Sequence, residues 1–193
     1  RMESIEEKRA RLLNLAKESL AKAYSTSEHA IMQAINAYNE IEKAMNLLYE
    51  RLEEWYGIYF PELRINSHEA YAKFVSNIGI DKKNADYAAL AANLGIDADA
   101  IKELAQNSIG REPSLDEYKS IKQLADSELA LGAVQKELDA FLKSSVEKLM
   151  PNVSYIIDYK LAAELLAKAG SLEKLANMPA STIQLLERKT VAG

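Results

Sequence analysis

Cysteine is absent from the 193-residue chain, which excludes disulfide scaffolds, thiolate metal sites and cysteine nucleophiles together. A reducing compartment fits that absence, although a helical protein need not use cysteine anywhere. Proline (4) and glycine (7) are scarce while alanine, leucine, glutamate and lysine abound, so the composition favours helix. No apolar run approaches the ~18 residues of a membrane span, and no signal-peptide pattern opens the chain, so a soluble, intracellular protein is expected. Arg1 ahead of Met2 reads as an internal fragment or a cloning remnant. An excess of basic residues is missing too. The net charge is −5, which argues against a chain that grips nucleic acid alone and non-specifically. A small basic surface, or RNA binding shared with a basic partner, stays open. What is present is 48% hydrophobic residues, enough to exclude disorder, and 27% charged residues, enough for large solvated faces. The length suits one ordinary domain or two small ones.

From Ser4 to Phe60 there is no proline, and glycine first occurs at Gly57. Ile31, Ala34, Tyr38, Ile41, Met45, Leu48, Leu52, Trp55 and Tyr59 follow alternating steps of three and four, a heptad seam about four heptads long. Upstream, Leu13, Leu20 and Tyr24 keep a poorer stripe, which Ser25-Thr26-Ser27 weakens. One helix with a weak spot and two helices with a restart near Glu28 are both consistent with that pattern. Pro61 ends the segment. Between Glu62 and Pro113 the units become short. Asn66-Ser67 can cap a helix that stops at Gly79, Asp81 to Asn84 can open a second that ends near Gly95, and Asp97 can cap a third that ends by Gly110. The echo of NIGID (77–81) and NLGID (93–97) repeats stop-and-cap grammar in only two copies, too few for a solenoid. Ser114 with Glu117 forms a capping box that opens a long helix to about Leu149, expected to bury Leu124, Leu131, Val134, Leu138 and Phe141. After Pro151 the pattern predicts a helix over 154–169 closed by Gly170, a short one from Ser171 to Asn177, and another with Pro179 in its first turn.

The predicted fold class is all-α. A long antiparallel two-helix coiled coil carries a helical tip insert and is followed by a small helical module. The expected divisions are 1–60 for the first arm, 61–113 for the insert, 114–150 for the second arm and 151–193 for the module.

Candidate chemistry is thin. His29 and His68 are the only histidines and neither has a partner at i+4, so a two-histidine helical zinc site is absent and packing or surface roles are expected. Asp97-Ala-Asp99 resembles the start of a calcium loop but lacks its later ligands, which favours helix capping. No phosphate-binding loop, dinucleotide fingerprint or G-x-S-x-G elbow occurs, and nothing supports an enzyme, a metal or a cofactor. Glu50, Glu53 and Glu54 beside Arg51 read as a solvated flank with local ion pairs. The run from Trp55 to Phe60 suits aromatic packing at the end of the seam better than a base-stacking platform.

Three stretches carry a family resemblance: NLLYERLEEWYGIYFPEL (46–63), LMPNVSYIIDYKLAAELLAKAGSLEKLANMPASTIQLL (149–186) and the long helices between. Together they resemble the Nop-domain proteins, the scaffolds of box C/D ribonucleoproteins and of a spliceosomal small ribonucleoprotein. The strings P-N-x-S, A-G-S-L and M-P-A-S-T-I-Q-L-L in that order are the specific part. The resemblance implies a non-catalytic scaffold with two parts. Its coiled coil, with Ile31, Tyr38, Ile41, Met45, Leu48 and Leu52 on the interface, would form a homodimer, a paralogue heterodimer or a docking surface, unless the seam is satisfied within the chain. Its Nop module, starting near Pro151, would bind a kink-turn RNA together with a small kink-turn-binding protein, with no membrane involved. Helix N-termini can present N–H groups to phosphates without a basic residue, which would reconcile an acidic chain with RNA. The RNA-proximal positions that the resemblance implies are Arg188, Lys189 and Thr190, with Lys168 and Gln184 added by their place in the motif. Localisation would be cytoplasmic in a prokaryote and nuclear or nucleolar in a eukaryote. Where the family commonly continues Gly-Ala, Leu186 runs into Glu187, and ERKTVAG looks closer to the spliceosomal type. Gly193 is expected to end an incomplete module, and the methyltransferase-docking domain of the box C/D members is not in this sequence.

Overall fold

The structure, a computed structural model, describes residues 4–191 apart from Asn93, with all side chains in that span except those of Lys22, Ala23 and 187–191. Among the described residues the regular elements are all helical. They are α1 (Ile5–Tyr24), α2 (Glu28–Tyr56), α3 (His68–Asn77), α4 (Tyr87–Ala92), α5 (Ala98–Gln106), α6 (Leu115–Leu149), α7 (Pro151–Ile156), α8 (Tyr159–Ala169), α9 (Leu172–Ala176) and α10 (Ala180–Val191), with a 3-10 turn at Lys82–Asn84. No described helix is long and apolar enough to cross a membrane. The chain divides into two compact units, one of residues up to 38 with those from 138 on, the other of residues 39–137.

Capping residues set most of the boundaries. Ser4 and Glu7 form a reciprocal box at the start of α1, with the Ser4 N–H donating to Glu7 at 2.8 Å and the Glu7 N–H to Ser4 Oγ at 3.1 Å. The Ser25-Thr26-Ser27 break resolves into two helices, α2 restarting as the Ile31 N–H reaches the Ser27 carbonyl at 3.0 Å. Ser114 and Glu117 form the anticipated box on α6. Ser67, Asp97 and Ser171 cap α3, α5 and α9 through their side chains. Gly79 and Gly170 hold φ of 82°, the left-handed turn that ends a helix without a Cβ clash.

Two boundaries depart from the sequence pattern. Asp81 opens only the 3-10 turn, accepting from the Lys83 and Asn84 N–H groups, and α4 begins separately at Tyr87. The expected helix over 154–169 is two helices. Pro151 starts α7, the chain extends at Ile157, and Asp158 caps α8 by accepting the Lys160 N–H at 2.8 Å. An internal capping aspartate offers the backbone an alternative to continuing the helix, and no glycine or proline is needed.

In the unit of residues 39–137, α2 supplies Leu52 and Tyr56, the following turn Tyr59 and Phe60, α3 Tyr71, Ala72, Phe74 and Val75, and α6 Ile121 and Ala125. Within this unit Met45 faces Gly132 and Tyr49, one turn on, lies within reach of the Glu128 charge, one turn back, so the two long-helix segments run in opposite directions there. Lys82, 2% exposed, donates from Nζ to the Gly110 carbonyl at 2.7 Å and pairs with Glu112 at 3.2 Å, tying the 3-10 turn to the loop before α6. Ser76 donates to Asp126, and Lys122 bridges both, joining α3 to α6. In the other unit, Ile31, Ala34 and Ile35 of α2 pack with Leu142 and Val146 of α6, with Ala162, Ala163, Leu166 and Ala169 of α8, and with Leu175 of α9. The stripe of α1, including Leu13, Leu20 and Tyr24, is exposed.

The buried faces of the long helices are shifted from expectation. Val134 and Phe141, expected in the core, are 43% and 42% exposed, and Leu124, Leu131 and Leu138 are only half-buried. At the end of α2, Tyr56 is buried whereas Trp55 is 38% exposed.

Candidate functional site

The candidate site lies in the unit that contains α8, α9 and α10, and short-range capping fixes its geometry. Gly170 turns the chain after α8, its N–H donating to the Leu166 carbonyl at 2.9 Å. One residue on, Ser171 Oγ accepts from the Lys174 N–H at 3.1 Å. The Leu172 N–H donates instead to Glu28 Oε2 at 3.0 Å, so a carboxylate from the first turn of α2 closes the start of α9. Sequence reasoning did not assign that role to Glu28, because the bond spans 144 positions. Pro179 then opens α10, its carbonyl accepting from Thr182 at 2.9 Å and Ile183 at 3.2 Å.

Helix α10 packs on α8 with Ile183 and Leu186 half-buried, which leaves Gln184 and Leu185 on the outward face. Lys168 at the end of α8 is exposed, and its Nζ donates to the Leu186 carbonyl at 3.2 Å. The lysine therefore staples α8 to α10 in addition to lying beside Gln184's helix. The side chains of Arg188, Lys189 and Thr190, in the last turns of α10, lie outside the described residues.

A polar cluster braces the other side of α8. Tyr159 donates to Asp139 at 2.8 Å, Lys160 pairs with Asp139 at 2.8 Å, and Lys160 also donates to the Tyr38 hydroxyl at 2.8 Å while lying 4.4 Å from its ring centroid. The Lys160 ammonium, and then the Tyr159 hydroxyl, hold the Asp139 carboxyl below the usual carboxylate range.

Of the six seam positions, Ile31 and Leu52 are fully buried within the chain, and Tyr38, Ile41, Met45 and Leu48 are half-buried. Tyr38 is engaged by Lys160. The remaining candidates resolve into packing. His68 stacks on Tyr49 with centroids 3.6 Å apart, His29 meets Tyr24 edge-on, and Arg51 pairs with Glu54 at 2.9 Å on an exposed flank. Asp97 caps α5, and Tyr56, Tyr59 and Phe60 are core residues.

These features define a class: an all-α protein of two long amphipathic helices and two sets of short, individually capped helices. The chain belongs to the Nop family, whose model, described as "snoRNA binding domain, fibrillarin", matches residues 37–191. It is 37% identical over 175 residues to an uncharacterized NOP5 family protein of Methanocaldococcus jannaschii, covering 89% of this chain and 42% of that protein. It is 33% identical over 176 residues to Nucleolar protein 58 of Aspergillus terreus, covering 90% of this chain and 30% of that protein. With Nucleolar protein 58 of Dictyostelium discoideum it shares 37% identity over 158 residues, 81% of this chain and 25% of that protein. The chain thus spans less than half the length of each of these relatives.

Proposed function

We propose that the chain is the non-catalytic scaffold portion of a box C/D-type ribonucleoprotein protein. The observation that carries this reading is the family match over 37–191, which takes in the α8–α9–α10 unit whole. On this reading the module from Pro151 onward recognises a composite surface of a kink-turn RNA and a small kink-turn-binding protein. The arms, 1–60 and 114–150 with the insert 61–113 between them, serve homodimer or paralogue-heterodimer formation. Assembly of this kind needs rigid presentation and no chemistry. Closure of α9 by Glu28 and the Lys168 staple supply that rigidity. Gln184 on the outward face of α10, Lys168 at the end of α8, and Arg188, Lys189 and Thr190 further along α10 are the positions proposed to approach RNA. A net charge of −5 suits a protein that shares RNA contact with a basic partner better than one that binds alone.

The test is a gel-shift titration on a kink-turn RNA, with and without the small kink-turn-binding protein, at two salt concentrations. Binding only with that protein present, with a log–log salt slope of about −2 to −4, is the expected result. Charge reversal at Arg188 and Lys189 together should abolish the shift while leaving self-association unchanged. A double variant that still shifts the RNA at low salt refutes the assigned residues. Self-association with no RNA shift under either condition would favour a protein-interaction coiled coil without direct RNA binding.

A further inference from the structure

Glu128 has no counterpart in the scaffold reading. It is 1% exposed, and neither carboxylate oxygen has a hydrogen-bond partner among the described residues. A buried, unpartnered carboxylate is costly, and each such group in a folded protein calls for an explanation, a bound ion among them. Glu128 lines a cavity of about 240 Å³ within the unit of residues 39–137. Met45, Leu129, Gly132 and Ala133 make its walls apolar. The absence of a side chain at Gly132 helps to open it, since a Cβ there would come within 3.4 Å of Met45 Cε.

The cavity's own cations do not serve Glu128. Lys73, half-buried, and Lys136, exposed, each pair with Glu69 at 2.8 Å. Burial, then the charge of Glu53 and then that of Glu128 raise the Tyr49 hydroxyl on α2, and His68 of α3 stacks on Tyr49. Glu69, Lys73 and Lys136 thus carry one negative and two positive charges, Glu53 on α2 adds a carboxylate at Tyr49, and Glu128 is the carboxylate of the cavity lining whose oxygens have no hydrogen-bond partner among the described residues.

We propose that this cavity is a binding site for a monocationic primary alkylammonium, its aliphatic stem against Met45 and Leu129 and its ammonium on Glu128. The volume is below the ~300–1,000 Å³ of drug-sized sites and suits one unbranched side chain or a small amine. The net positive charge of Glu69, Lys73 and Lys136 disfavours a second cationic centre, which selects a monoamine or the lysine side chain of a partner over a polyamine.

Burial pushes the Glu128 carboxyl up to about 7, so an ammonium ligand should bind better as pH rises, whereas a neutral acceptor ligand should bind worse. The experiment titrates the 193-residue chain with n-butylammonium at pH 5 and pH 8, reading the Met45 methyl and Gly132 amide signals by NMR. The expected apparent affinity rises about 90-fold, the ratio of ionised fractions for a group titrating near 7. Glu128→Gln should lose the binding. So should Ala133→Leu, which obstructs the cavity at an exposed helical position and leaves Glu128 in place. Nα-acetyl-lysine methylamide in parallel separates the sources: binding by both ligands admits a partner's lysine, and binding by the free amine alone assigns a small molecule. Absent shifts, an affinity that falls with pH, equal shifts from n-butanol, or binding that survives in Glu128→Gln would each overturn the proposal.

Discussion

Replacing Glu128 by methionine keeps the length of the side chain and removes the charge, and the structure fixes both the sign and the size of the effect. Burial raises the folded-state pKa to about 7 from an ordinary 4.5. An acid whose pKa is raised on folding holds its proton more tightly in the folded state. Stability is therefore greatest below pH 4.5, falls as pH rises toward 7, and levels off above it. The difference corresponds to a loss of about 3 kcal/mol across that window, at 1.36 kcal/mol for each pKa unit. Neighbouring groups do not mimic the effect. Glu69 is held down to about 2 by Lys136 and then Lys73, and Tyr49 is raised above its ordinary value of 10 by burial. Urea unfolding followed by the fluorescence of Trp55, the sole tryptophan, reads the unit that contains Glu128. The stability advantage of Glu128→Met over the parent should grow by about 3 kcal/mol between pH 4.5 and pH 8. Parallel stability profiles for the two proteins would refute the assignment of a buried, unpartnered carboxylate.

Gly110→Ala would bring a Cβ within 2.7 Å of Pro61 Cδ and still closer to the Tyr59 carbonyl, and should lower stability by about 1–3 kcal/mol in the same urea assay. Gly132→Ala meets only the flexible end of Met45 at 3.4 Å, so it should stabilise α6 by up to about 1 kcal/mol and narrow the Glu128 cavity. Asp158→Ala removes the cap of α8 and should cost about 1 kcal/mol, visible as faster amide exchange in the first turn of that helix. Glu69→Gln should destabilise by less than about 1 kcal/mol at neutral pH, because the pairs with Lys73 and Lys136 are open to solvent screening, with Glu69 45% exposed. That difference should shrink as pH falls from 4.5 through about 2, where the parent carboxylate is itself protonated.

Local grammar was legible in the sequence because a cap acts within four residues. Ser67, Asp97, Ser114 with Glu117, Gly170 and Ser171 all perform as their positions suggest. Asp158 carries the same signal, an aspartate ahead of the apolar run Ala162, Leu165, Leu166 and Ala169, but no glycine or proline marks the break beside it. Glu28 and Lys82 were not legible. Their partners lie 144 and 28 positions away, and no local pattern announces a carboxylate that closes a distant helix or a lysine drawn into a core.

The clearest misreading, on α6, has a physical cause that also locates the chain's unusual chemistry. The face that turns inward follows Ile121, Ala125, Glu128, Gly132, Gln135, Asp139, Leu142 and Val146, alternating steps of four and three, with every position buried or half-buried. Its middle is polar or bare, so a search for apolar periodicity slides onto the adjacent stripe of Leu124, Leu131, Val134, Leu138 and Phe141. A heptad seam does not tolerate four such residues in succession without a reason for each. Asp139 has one, since it anchors Tyr159 and Lys160 beneath α8. Gly132 opens space against Met45, Gln135 borders that space, and Glu128 faces it without a partner among the described residues. Three consecutive seam positions thus build one cavity, which is why Glu128 reads better as half of a recognition contact than as an isolated packing defect.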